Sequence, residues 1–348
     1  MSGSALQVAI RGLAAGRSLG AAEAAEAFGC VMRGEASAAQ LAALLVGLRV
    51  KGESADEVAG VARALRAAMI RLPADDPGSL VDTCGTGGGD VPTFNISTAA
   101  ALVAAGAGVR VAKHGNRSFT SRSGSADVLE ALGVQIETTP AVMEAALRDA
   151  GIVFMFAPLM HPAMRHVGPV RRELGIPTVM NIVGPLANPA GAGRQVVGVA
   201  DERRLPLIAD ALAALGSEHA LVVHGAPGLD EVSPLAATRV LEVRGQTTRE
   251  WCIDPAELGV GPVRADELAG AEPADNAAII EAVLAGRAST GATAAVLLNA
   301  AAAIYVSGGV NDFPRAYERA RDALHSGEGA RALDRLRRAF ARPPEVAR

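Results

Sequence analysis

The opening stretch of the chain carries apolar residues at helical spacing. In "SAAQLAALLVGLRVKG", residues 37–52, the pattern runs up to Gly52, which predicts a helix ending there. The next stretch, "SADEVAGVARALRAAMIRL", sets Ser54 three residues before Glu57, the arrangement of a capping box. Residues 5–72 therefore read as helices. "PADDPGS" then breaks the pattern with two prolines and a glycine, and the first domain boundary is placed there. Beyond it, "SLVDTCG", "VRVAKHG", "GIVFMFAP", "RQVVGVA" and "HALVVHG" read as short strands. "NISTAAALVAAGAG" and "SADVLEALG" read as helices between them, and "ATRVLEVR" with "REWCID" as an antiparallel pair. "NAAIIEAVLAG", the alanine-rich run from residue 291 and "ALDRLRRAF" read as later helices, the last running into a loose, proline-rich end. This alternation predicts an α/β domain with a mainly parallel sheet covered on both faces, preceded by a small all-helical domain.

The first strand runs into "GTGGGDVPTFNIST", where Gly85, Gly87, Gly88 and Gly89 precede Asn95, Ser97 and Thr98 at a helix start. A strand, a glycine turn and a helix N-terminus bring backbone N–H groups and the helix dipole together on an anion. The glycines are not followed by Gly-Lys-Ser/Thr, so this is not a P-loop, and their spacing is not the dinucleotide fingerprint. Alone, the cluster fits a tight turn equally well. A second polar loop, residues 112–127, holds Lys113, His114, Asn116, Arg117 and Arg122. Strands of one parallel sheet deliver their C-terminal loops to the same edge, so two anion loops suggest a ligand with two separated phosphates. Asp230 and Glu231, in "HGAPGLDEVSP", are adjacent carboxylates of the kind that hold Mg²⁺ beside phosphates; in isolation such a pair is surface charge. "HPAMRHVGPVRRELG", residues 161–175, reads as a helix kinked at Pro169, with Met164, Gly168 and Arg171 on one face. Arg171 is suited to grip a carboxylate. His161, His166 and His224 lack zinc-ligand spacing.

Composition narrows the picture. The chain has 348 residues, half of them apolar, enough for a sizeable core and about two domains. Its net charge of −4 argues against a nucleic-acid binder. Cys30, Cys84 and Cys252 are odd in number and far apart, which suits a reducing, cytoplasmic setting and not a disulfide framework. The N-terminus lacks a signal-peptide core, and "GATAAVLLNAAAAIYVSGG", broken by Asn299, reads as a buried helix and not a membrane span.

Taken together, "DTCGTGGG", "TFNISTAAA", "KHGNRS", "SGSADVLEALGV", "HPAMRHVGPVRRELGIPTVMNIVGPLANP" and "GLDEVSP" resemble the anthranilate phosphoribosyltransferases, in family order over roughly residues 5–340. The resemblance implies a nucleoside phosphorylase-like phosphoribosyltransferase fold: a helical domain of residues 1–72 plus about 161–190, hinged to an α/β domain of residues 78–160 plus about 191–345. It implies a homodimer formed through the helical domain, transfer of phosphoribosyl from phosphoribosyl pyrophosphate to anthranilate in tryptophan biosynthesis, and Mg²⁺. Carried over by position, the donor contacts are Gly85, Gly88, Gly89, Thr93, Asn95, Ile96, Ser97, Thr98, Lys113, His114, Gly115, Asn116, Arg117, Ser118, Ser121 and Ser125. Gly85, Asn116 and Arg171 are implied for anthranilate, Ser97, Asp230 and Glu231 for the metal, and Lys113 and Arg171 for catalysis. One position departs: the family's usual G-T-G-G-D has Gly89 at the acid's place here, with Asp90 one residue later. The related pyrimidine nucleoside phosphorylases share the fold, but the "KHGNRS" and "HPAMRHVGPVRRELG" pairing fits them less well.

Overall fold

The computed structural model describes residues 4–118 and 122–341. Four helices come first: α1 (Ala5–Ala14), α2 (Ala21–Met32), α3 (Ala38–Lys51) and α4 (Ala55–Ala68). Their ends follow from local chemistry. Ser37 with Gln40, and Ser54 with Glu57, each form a reciprocal capping box, and Gly52 ends α3 at φ 88°. Glu57 does more than cap. Its fully buried carboxylate also accepts the Leu19 N–H at 2.8 Å and pairs with Lys51 at 2.9 Å. One side chain thus ties α3, α4 and the turn before α2 together.

The remaining elements are β1 (Val81–Gly85), α5 (Ile96–Gly106), β2 (Val111–Gly115), α6 (Ser125–Ala131), α7 (Pro140–Ala150), β3 (Ile152–Phe156), α8 (Ala157–Met160), α9 (Gly168–Leu174), β4 (Arg194–Gly198), α10 (Leu205–Ala214), β5 (His219–Gly225), β6 (Thr238–Arg244), β7 (Thr247–Ile253), α11 (Pro273–Leu284), α12 (Thr290–Val306), α13 (Phe313–His325) and α14 (Glu328–Phe340). The seven strands form one sheet in the order β3-β2-β1-β4-β5-β6-β7. β1 to β5 are parallel; β6 and β7 are the expected antiparallel pair. The strand order turns back at β1 and β4, so the crevice beyond their C-terminal ends is the switch point where such sheets bind ligands.

Period-two alternation divides the core. Val196, Leu221, Val223 and Val240 face one way, into a cluster with α5 and α12. Val197, Val199, Ala220, Val222, Leu241 and Val243 face the other way, into a cluster shared with α10, the N-terminal helices and residues of the 163–187 segment. The helical part is therefore fastened to one sheet face by a continuous apolar core. Arg63 adds a hydrogen bond to the Ala214 carbonyl at 2.7 Å, and Arg66 one to the Leu186 carbonyl at 2.7 Å. The alanine-rich α12 is buried along nearly its whole length, and among the described residues no helix is long and apolar enough to cross a membrane.

The 161–175 segment differs from the kinked helix its sequence suggests. A 3-10 turn, Pro162–His166, ends before α9 begins, and Pro169 occupies the first turn of α9. There a missing N–H costs nothing, so the proline starts a helix instead of bending one. Met164 and Arg171 consequently stand on separate elements.

Removing one partner from a buried ion pair costs about 3–5 kcal/mol. Glu57→Ala is therefore expected to lose that much in urea unfolding, whereas Arg33→Ala, at the exposed Arg33–Glu35 pair, leaves the midpoint unchanged. A loss at Glu57 no larger than at Arg33 would show that the capping carboxylate contributes little.

Candidate active site

The C-terminal ends of β1, β2, β4 and β5 converge on one rim. At the switch point, Gly85 ends β1 opposite Gly198, which ends β4. Over them lies the bend at Asp230–Glu231. A Cβ at Gly198 would collide with the Asp230 carbonyl oxygen, and one at Gly85 with the Asp230 carboxylate. Only glycine at both strand ends lets the bend settle this deep.

Hydrogen bonds then fix the bend to the glycine loop and to α5. The Gly87 N–H donates to Asp230 Oδ2 at 2.8 Å, and the Ser97 N–H to Glu231 Oε1 at 3.1 Å. From β2, Lys113 Nζ donates to the Thr83 carbonyl and to Ser97 Oγ at 3.3 Å. Ser97 and Lys113 are thus linked to Glu231 and, through the shared bend, to Asp230, from segments more than 110 residues away. Asn299, the polar residue interrupting α12, completes the support. Its amide accepts from the Val232 N–H at 2.8 Å and donates to the Val232 carbonyl at 2.9 Å, clamping the residue next to Glu231.

The electrostatics are those of a site short of positive charge. Burial raises the Asp230 carboxyl above its ordinary range. Burial, together with the neighbouring Asp230, pushes Glu231 up to about 8, against the pull of Lys113 and the Ser97 N–H. Burial lowers the Lys113 ammonium, opposed chiefly by Asp82. Two desolvated carboxylates beside a serine hydroxyl call for a hard cation with oxygen ligands, and these residues fit one.

Not every expected contact faces this network. Ile96 is fully buried and Thr98 nearly so; the Thr98 side chain borders a small internal void behind Lys113. Both are enclosed because α5 is buried on nearly every side. His114 follows Lys113 on β2 and so turns to the opposite sheet face, where its ring lies 4.9 Å from that of His161. Burial lowers both, to about 3 and about 4, which keeps them neutral. Arg117 is committed to Asp127 and Glu130 of α6, and the Ser118 N–H donates to Asp127 at 3.1 Å. Asn116 is exposed just beyond the end of β2, and Ser125 Oγ donates to its carbonyl at 3.4 Å. The Asn95 side chain is engaged by Ser123 and by Asn276 of α11. Thr93 is half-buried, Gly88 is exposed, and Ser121 lies outside the described residues. Arg171 stands half-buried on α9, and burial lowers its pKa.

The displaced acid of the glycine loop has a steric explanation. A Cβ at Gly89 would come within 2.8 Å of the Gly228 carbonyl, leaving no room for aspartate in this backbone. Asp90 instead donates its N–H to that carbonyl at 2.9 Å. It lines an open polar cavity of about 430 Å³ with Gly88, Arg203 and His224, a lining that does not include Ser97, Lys113 or Glu231.

The chain matches two family models, the glycosyl transferase family helical bundle domain over residues 7–69 and the a/b domain over residues 77–330. It is 50% identical over 341 residues to the anthranilate phosphoribosyltransferase of Thermomicrobium roseum, covering 97% of this chain and 96% of that one. The chain belongs to the anthranilate phosphoribosyltransferase family. The Rubrobacter xylanophilus enzyme of that name is 48% identical, covering 97% and 98% of the two chains. The crystal structure of the Thermus thermophilus family member superposes with a TM-score of 0.90 at 42% identity, covering 96% of this chain and 99% of that one. The Saccharomyces cerevisiae member, solved in complex with PRPP and Mg, does so at 0.88 and 27% identity, covering 98% and 99%.

Against the family motifs, sequence reasoning missed the residues that support the network: Gly198, Thr83, Asn299 and Asp82. Asp82 is wholly buried, accepts from the His114 N–H at 3.1 Å and from Asn188 Nδ2 at 2.8 Å, and is pushed up to about 6 by burial. Its signal was available, as a charged residue inside an apolar strand. Gly198→Ala is expected to lift the Asp230 bend and cut the transferase rate by about two orders of magnitude while circular dichroism stays unchanged, since a displacement of about 1 Å in a site has that effect. Activity within twofold of the parent would contradict the close approach.

Proposed function

We propose that the protein transfers the 5-phosphoribosyl group of phosphoribosyl pyrophosphate to the amine of anthranilate, releasing pyrophosphate, the second step from chorismate to tryptophan. The observation that carries this reading is the Ser97–Lys113–Asp230–Glu231 network beneath the glycine loop at the switch point. It joins an anion-binding backbone to buried carboxylates, as a magnesium-bound diphosphate requires. Full-length similarity to enzymes of that name, one of them solved with PRPP and Mg, supports it.

In the reaction the bond from ribose C1 to pyrophosphate breaks and a bond from C1 to the anthranilate nitrogen forms, the amine proton passing to solvent with the pyrophosphate leaving group. Negative charge grows on the leaving oxygens and positive character on the sugar. Lys113, held by Thr83 and Ser97, points its ammonium at the leaving group, and the glycine-loop amides add partial positive charge. Ser97, Asp230 and Glu231 would hold Mg²⁺, which when bound neutralises pyrophosphate oxygens. The amine is neutral at pH 7, so no activated nucleophile is needed, and alignment of the two substrates supplies much of the acceleration. Arg171 takes the anthranilate carboxylate from the segment of about 161–190, which with residues 1–72 makes a helical domain that closes on the α/β domain through the Gly168–Pro169 region. The same reading makes the enzyme a cytoplasmic homodimer formed through the helical domain.

Anthranilate fluorescence should fall when the donor and Mg²⁺ are added together, and not with either alone; a pyrimidine nucleoside phosphorylase would instead consume nucleoside and phosphate. Arg171→Ala is expected to raise the anthranilate KM at least tenfold with the donor KM near the parent value, because it removes a charge-assisted bidentate contact worth about 1.5–3 kcal/mol. Equal rises in both would remove Arg171 from the acceptor site. Asp230→Asn with Glu231→Gln should lower the rate and flatten its Mg²⁺ titration, and an unchanged titration would refute the assignment of these ligands.

A further inference from the structure

The resemblance places Asn95 at the donor, yet its side chain is bound into a partly buried bridge. It occupies the N-cap of α5 without capping that helix. Its Nδ2 donates to the Ser123 carbonyl at 3.1 Å, and its Oδ1 accepts from Ser123 Oγ at 3.0 Å and from Asn276 Nδ2 at 2.9 Å. Asn276, in the first turn of α11 and 2% exposed, accepts the Ala271 N–H through Oδ1 at 2.8 Å.

Backbone polarity fixes both amides. An N–H only donates, so Asn276 must turn Oδ1 to Ala271 and Nδ2 to Asn95. Asn95 must then offer Oδ1 to Asn276, which leaves its Nδ2 for the Ser123 carbonyl, a group that only accepts. The chain of bonds links three segments: the exit of the glycine loop, the loop preceding α6, and the strap of residues 265–276. The strap is further held by the Phe94 N–H, which donates to the Leu268 carbonyl at 2.9 Å. At the surface, Arg122 and Glu272 approach to 3.9 Å across the same junction.

We propose that Asn276 is a positioning residue for the phosphoribosyl donor: through Asn95 it holds the glycine-loop exit and the loop before α6 at a fixed separation, so that both reach one ligand. This rests on the reaction proposed above. It gives α11, which lies outside the Ser97–Lys113–Asp230–Glu231 network, a part in donor affinity.

Asn276→Asp keeps the size of the side chain and an oxygen for Ala271, but it cannot donate to Asn95. Asn276→Ala removes both bonds without adding charge. With Mg²⁺ present, both variants are expected to weaken phosphoribosyl pyrophosphate binding about tenfold by isothermal titration calorimetry, the effect of losing one well-placed hydrogen bond. The donor KM should rise in parallel, while the anthranilate KM at saturating donor stays within twofold of the parent. A merely structural role would lower the melting temperature and the active fraction without separating the two KM values. Donor Kd and KM within twofold of the parent in both variants would overturn the inference. Parent protein that binds the donor but forms no product would instead overturn the proposed reaction, leaving the calorimetric comparison to decide the role of Asn276.

Discussion

The site depends on one close approach, that of the Asp230–Glu231 bend to the ends of β1 and β4. Glycine at positions 85 and 198 removes the side chains that would hold the bend off. The bend then lies deep enough for Asp230 to take the Gly87 N–H and for Glu231 to take the Ser97 N–H. Those bonds join segments more than 130 residues apart in sequence. Asn299 secures the same bend from the opposite side, out of the middle of an otherwise apolar helix. A buried amide is tolerated there because its bonds are met by Val232 and Ala295.

That approach creates an electrostatic deficit. Glu231 and Asp230 are both pushed toward their neutral forms, and Lys113 cannot satisfy them alone because burial weakens its own charge. A cation bound beside Ser97 would offset the two carboxylates, and an anionic ligand would offset the cation and Lys113. Relief of desolvated charge is a direct source of ligand affinity, so under the proposed reaction a metal and a diphosphate would reinforce each other.

Much of this was legible in the sequence, for local reasons. The capping boxes at Ser37 and Ser54, the strands ending in the glycine loop and at Gly115, and the β6–β7 pair depend on neighbouring residues. The errors have equally specific causes. Pro169 was read as a kink because its position relative to a helix start is set by the preceding 3-10 turn, which periodicity does not reveal. Adjacency in a loop also says nothing about direction: the strand sends the His114 side chain to the face opposite that of Lys113. Asn276 and Gly198 carried no local signal. Their roles exist only once distant segments meet, at Asn95 and at the Asp230 carbonyl. Asn299 did carry one, as a polar break in an apolar run, and its meaning appeared only with Val232 beside it.

The two-faced core bears on how substrates could be brought together. One sheet face packs α5 and α12 behind the Ser97–Lys113–Asp230–Glu231 network; the other merges, through α10, with the core of α1 to α4. A rigid helical unit cannot swing freely while α4 stays packed on α10 and Arg63 holds the Ala214 carbonyl. Any closing motion must therefore pivot at that contact and be taken up where the connections are irregular. The 3-10 turn at Pro162–His166 and the start of α9 at Gly168 are such places. Arg171 lies beyond them, and the neutral His114–His161 contact lies between them and β2. Because α1 to α4, α10 and one sheet face share a single apolar cluster, any displacement of Arg171 relative to Lys113 has to leave that cluster packed and be confined to the irregular connection ahead of α9.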